Sequence, residues 1–168
     1  MKRLALLAVA AAVAVAPASA AGPYQVDLVK AFKPKLAAVK AKTTVPVLYP
    51  PKLALLDPLK SYVTAFGTKN QFGFEIDAAP GCHGANACFV ATFAGKRGGK
   101  LPGRPNVRLA SGDPAIFRLF SCGGSCSPSS FWFTHRGVLY SWQVKDLPKG
   151  ERAVMIGMAN EALAAGPR

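Results

Sequence analysis

Acidic side chains are scarce in this sequence. Eight Asp and Glu stand against 21 Lys and Arg, and histidine occurs twice. So few titratable pairs leave little material for acid–base or metal chemistry. The four cysteines form no C-x-x-C motif, which removes the thioredoxin-type redox pair. No nucleophile-elbow pattern surrounds any serine. No long apolar run follows residue 20, so nothing later in the chain has the roughly 20 residues a bilayer span needs. Internal repeats and alternating βαβ units are also missing, which argues against solenoids and parallel-sheet folds.

What is present begins with a three-part leader. Lys2 and Arg3 give a positive start, Leu4 to Val15 an apolar run, and Ala18-Ser19-Ala20 a small-residue cleavage site. That is the pattern of a secretory signal peptide over residues 1–20. The expected mature chain is a single exported α+β domain over residues 22–168, in the periplasm or outside the cell. At 51% apolar and 17% charged residues it has the balance of a folded domain, not a disordered one.

The formal charge is +13, and removing Lys2 and Arg3 leaves +11. Such a surface favours anionic partners: lipid head groups, cell-wall polymers or another envelope protein. Export makes nucleic acid a poor partner.

Periodicity predicts a helix over 22–41, with Val29, Phe32, Leu36 and Val39 as its apolar stripe and a break near Lys33 caused by Pro34. Short strands are expected at 45–49, 61–66, 72–78, 87–93, 107–109 and 115–120. Glu75 and Asp77 share the solvated side of the third of these. Phe131 to His135 and Val138 to Val144 form a hairpin. With a two-residue turn, His135 faces Val138, Phe133 faces Tyr140 and Phe131 faces Trp142. A one-residue slip would break both alternations. A closing helix over 149–165 buries Val154, Met155, Met158, Ala162 and Leu163. Gly166 ends it, and Asn160 is placed to bond toward the sheet. The class expected is α+β: an antiparallel sheet with N-terminal and C-terminal helices packed on it.

Cys82, Cys88, Cys122 and Cys126 read as staples. An oxidising compartment makes disulfides the default. Three pairings exist. Glycines in both clusters favour local pairing of Cys82 with Cys88 and of Cys122 with Cys126. Crossed pairing would close a longer loop and stabilise more. Local pairing requires Cα separations under about 7 Å. The spacing is poor for zinc, so no metal or other cofactor is expected.

The candidate binding surface is the aromatic hairpin, through His135, Tyr140, Trp132 and Trp142, with the Gly-rich basic loop carrying Lys96, Arg97, Lys100 and Arg104. That loop leads into a strand, not a helix, so it lacks the phosphate-cradle geometry. No catalytic residue is assigned. The role expected is binding of an anionic or amphipathic ligand at the cell envelope. Two alternatives are kept: a hydrolase-type enzyme using His135 with a nearby serine or carboxylate, and a thiol- or metal-handling protein.

From Thr44 to Gly166 the order is V-P-V-L-Y-P-P, C-x5-C, a short V-x-L strand, C-G-G-S-C-S-P, G-V-L-Y-S-W-Q-V-K and M-A-N-E-A-L. This resembles a loose group of small exported bacterial proteins of unassigned activity. The final hairpin and helix also resemble periplasmic regulatory and lipoprotein-carrier domains, in which a curved antiparallel sheet cups a helix. The first likeness implies export and fold. Neither carries a functional residue.

Overall fold

The computed structural model describes residues 23–82 and 85–168. The proposed signal segment and His83 lie outside the described residues. The chain opens with a strand, β1 (Tyr24–Asp27), followed directly by α1 (Leu28–Lys40). The helix therefore starts later than its periodicity predicts. Asp27 is the reason: its Oδ1 accepts a hydrogen bond from Lys30 N at 2.9 Å, a side-chain N-cap. Pro34 lies inside α1 and does not end it. Leu28, Phe32 and Val39 are buried, whereas Val29 is exposed.

The segment Val45–Tyr49 is not a strand. It is an extended run with Val45, Val47, Leu48 and Tyr49 buried. β2 (Lys52–Leu55) then turns back to pair antiparallel with β1. Sequence periodicity did not reveal that pair, because its partners lie far apart in the chain.

The main sheet contains β3 (Tyr62–Thr68), β4 (Gln71–Asp77), β5 (Phe89–Arg97), β6 (Val107–Arg108), β7 (Pro114–Arg118), β10 (Ser129–His135) and β11 (Val138–Val144). Its order is β3-β4-β5-β11-β10-β7-β6, and every neighbouring pair is antiparallel. The β10–β11 register is the expected one, with His135 opposite Val138, Phe133 opposite Tyr140 and Phe131 opposite Trp142. Between Cys122 and Cys126 a separate two-stranded ribbon forms, β8 (Ser121–Cys122) with β9 (Cys126–Ser127). The last element is α2 (Glu151–Ala165), closed at Gly166 with φ +73°. With an antiparallel sheet and two helices, the chain is α+β.

Alternation gives the sheet two different faces. The inner face carries Phe72, Phe74, Phe93, Phe131, Phe133, Tyr140 and Trp142, all buried. Phe32 of α1 stacks on Phe74 with ring centroids 4.5 Å apart. Met155, Met158, Ala159 and Ala162 of α2 belong to the same buried cluster. Asn160 Oδ1 accepts from Ala110 N at 3.0 Å, tying α2 to the chain just past β6.

Both disulfides are local. Cys82–Cys88 has a Cα separation of 5.9 Å and Cys122–Cys126 one of 4.1 Å. The two clasps also meet: Asn86 Nδ2 donates to Cys126 O at 3.2 Å, and Lys145 Nζ to Asn86 O at 3.1 Å. Asp77, expected on a solvated face, is buried beside the β4–β5 bulge, and its Oδ1 has no hydrogen-bond partner. Among the described residues no helix is long and apolar enough to cross a membrane.

Candidate binding surface

The eight side chains singled out in the sequence divide between the two faces of the sheet. Tyr140 and Trp142 point into the core, with exposures of 2% and 0%. They are not surface residues. Alternation alone assigns residues to a shared face, and it does not say which face is buried. Trp142 packs edge-on against Phe93 and Phe133. Tyr140 donates its hydroxyl to Pro46 O at 3.0 Å. Burial pushes the Tyr140 phenol up from 10.0 to about 12, and the Arg97 charge opposes that rise.

His135 stands on the inner side at the turn end of the hairpin. Its Nδ1 lies 2.6 Å from Asp113 Oδ2, and both side chains are part-buried. Ser111 Oγ donates to the same Asp113 oxygen at 2.7 Å. Serine, carboxylate and imidazole thus come together in the wrong order for nucleophilic catalysis. A serine nucleophile needs its hydroxyl on the imidazole, with the carboxylate behind. Here the carboxylate occupies the centre.

Trp132 lies on the opposite, outer face, half-buried. It is opposite Ser141 in β11 and Ile116 in β7. The Arg118 guanidinium carbon sits 5.1 Å from its ring centroid, a cation–π contact. The basic loop reaches the same face. Because β5 and β6 are separated in the sheet by β11, β10 and β7, the connection between them must cross those strands. Its contacts trace the path: Gly98 N donates to Gly137 O at 2.9 Å, and Arg118 Nη2 donates to Pro102 O at 3.2 Å. Gly99 is so close to Leu139 that a Cβ on it would lie 2.7 Å from the Leu139 Cβ. Leu139, Trp132, Ile116 and Arg118 share the outer face by register. The loop is therefore a strap over one half of that face.

Lys96 is exposed at the outer-face end of β5, and Lys100 and Arg104 are exposed on the strap. Arg97 departs from this group. It donates from Nη2 to Thr44 O at 2.6 Å and braces the segment after α1. The half of the outer face without the strap is a shallow depression of about 280 Å³, lined by Thr64, Phe66, Gly73, Glu75 and Thr92. Phe66, which periodicity does not single out, is 52% exposed there. Its signal was the Phe66–Gly67 end of a strand whose partner position, Gly73, has no side chain.

The face thus combines exposed or half-exposed aromatic rings, a floor of Gly73, Thr92, Ala94 and Ser141, and exposed cations on the end of β5 and on the strap. Among the described residues no group of three His, Cys, Asp or Glu is arranged to hold a metal. The class defined by these features is a disulfide-clasped α+β domain with one face of its sheet packed and the other face half covered by the strap and half open. No protein-family model, curated protein or solved structure matches the chain.

Proposed function

We propose that this is an exported envelope domain that binds an anionic polysaccharide along the outer face of its sheet. The single observation that carries the reading is the strap: the cationic loop is laid across the half of an open sheet face that also holds Trp132. Lys96, Lys100 and Arg104 supply charge for phosphate or carboxylate groups. Trp132 and Phe66 offer apolar ring faces with little conformational freedom to lose. Thr64, Thr92 and Glu75 line the other half, where their oxygens suit the uncharged hydroxyls of a sugar chain better than its anions. At about 4.8 Å between strands, the uncovered half from β3 to β5 is about 10 Å wide, and the strap continues the surface beyond it. Two disulfides suit an oxidising compartment, which supports export.

The test is retention of the mature chain on a phosphate-bearing polysaccharide, with neutral dextran as the control. Binding should fall as salt rises, because exposed charges are screened. Replacing Lys96, Lys100 and Arg104 together by Glu should weaken retention at least tenfold, which corresponds to about 1.4 kcal/mol. Trp132→Ala should weaken it several-fold while the fold stays intact. Equal retention on dextran, or unchanged retention by both variants, would sink the reading.

A further inference from the structure

A second cavity lies at the turn end of the β10–β11 hairpin, on the inner side of the sheet. It measures about 250 Å³, and Pro46, Leu48, Tyr140 and Leu163 form apolar walls. Its rim carries His135 and Arg136. Two of the other polar side-chain atoms there are already engaged. Tyr140 donates to Pro46 O, and His135 Nδ1 is held by Asp113. Arg136 is different, since among the described residues its guanidinium makes no hydrogen bond or ion pair.

Arg136 also occupies an unusual backbone position. Its φ is +48°, beside Gly137 at φ +75°. A two-residue hairpin turn with positive φ at both places normally takes Asn, Asp or Gly first. Arginine lacks the short side chain that offsets the cost of that conformation. A strained residue that the surrounding structure retains is a pointer to function. Here it places an unpaired cation at the mouth of an apolar cavity.

We propose that this cavity binds a small apolar carboxylate, with the chain against Leu48 and Leu163 and the carboxylate on Arg136. The volume is slightly below the usual range of ligand pockets, about 300–1,000 Å³, so the ligand is a short acyl chain or a compact aromatic acid. A charge-assisted hydrogen bond to a guanidinium explains why the acid is preferred over an alcohol of equal length. The site is independent of the outer-face reading, because it uses different residues and a different ligand class.

The experiment is calorimetric or NMR titration of the native chain with hexanoate and, separately, with hexan-1-ol. Hexanoate should bind saturably and at least tenfold more tightly than the alcohol. Arg136→Gly should weaken hexanoate at least fivefold and raise the melting temperature, because glycine accepts this backbone conformation without strain. Leu163→Phe should reduce binding of both ligands by filling the cavity while leaving the charge in place. Hexanoate that fails to bind saturably, or binds no better than hexan-1-ol, would overturn the proposal. So would Arg136→Gly that gains stability with hexanoate affinity unchanged, since Arg136 would then be a turn residue only.

Discussion

Gly73 and Gly95 occupy equivalent settings on opposite sides of one sheet. Each lies under the ring of the phenylalanine opposite it, Phe66 for Gly73 on the outer face and Phe72 for Gly95 on the inner face. A Cβ would stand 2.3 Å from a Phe66 ring carbon in the first case and 2.4 Å from a Phe72 ring carbon in the second. The rings differ in freedom. Phe66 is half in solvent, whereas Phe72 is fully buried beside Phe74 and Tyr140. The same local device, an aromatic ring filling the space above a glycine, builds a closed core on one side and leaves a half-exposed ring on the other. The outer-face ring is not committed to the core, which is what the proposed ligand contact requires.

The strongest way to break this contrast is to truncate one tryptophan from each face. Trp142→Ala should cost about 3–5 kcal/mol in denaturant unfolding, because it empties a closed part of the core. Trp132→Ala should cost about 1 kcal/mol or less, mainly its cation–π contact with Arg118. Equal losses would mean that the outer face is as structural as the inner one. The glycines give a finer version. Gly95→Ala should destabilise by up to about 3 kcal/mol, since Phe72 has nowhere to go. Gly73→Ala should cost about 0.5 kcal/mol or less, because Phe66 can swing toward water.

Exposure also separates the two clasps. Cys122 and Cys126 are both exposed, whereas Cys82 is buried. Limiting reductant followed by alkylation and mass spectrometry should show Cys122–Cys126 opening first, since access governs thiol–disulfide exchange. Removing either bond by Cys→Ser pairs should cost about 2 kcal/mol, the amount expected for such short loops. Reduction of Cys82–Cys88 first would contradict the burial argument.

Burial of Tyr140 makes the inner face sensitive to alkali. Tyr140 holds its proton to about 12 in the folded chain, against 10.0 for an ordinary phenol. The unfolded chain therefore releases this proton first as pH rises. Its contribution to stability is complete below about pH 10 and is lost as pH rises toward 12. Melting temperature should fall across that window, and Tyr140→Phe should fall less steeply. A flat profile would show that the phenol is not sequestered.

Much of the scaffold was legible in the sequence, for physical reasons that also mark the limits. The β10–β11 register followed from two independent alternations in a strand pair joined by a tight turn. Local disulfide pairing followed from the glycine-rich spacers. The closing helix and its glycine stop followed from a 3.6-residue stripe. Non-local pairing was not legible. Tyr24–Asp27 merged with the following helix because its partner, Lys52–Leu55, carries no local signal. The contact between the clasps through Asn86 likewise joins residues 40 apart. The geometry of the candidate surface was half legible. Trp132, Lys96, Lys100 and Arg104 do share one side of the sheet, but this depends on the strand order that forces the loop across it. Alternation gives the hairpin two faces and leaves the buried one unnamed, so it does not place Tyr140 and Trp142 in the core, where they lie. Phe66 escaped notice because its exposure depends on the glycine opposite it.

The most direct test of the central claim is an amide and indole NMR titration with a soluble phosphate-bearing oligosaccharide. Saturable shifts are expected at Trp132 Nε1–H, Thr92, Ala94, Ser141 and the strap residues Lys100 and Arg104, with Phe93 and Trp142 unmoved. Shifts confined to the clasps or to the inner-face cavity, or none at all, would contradict it.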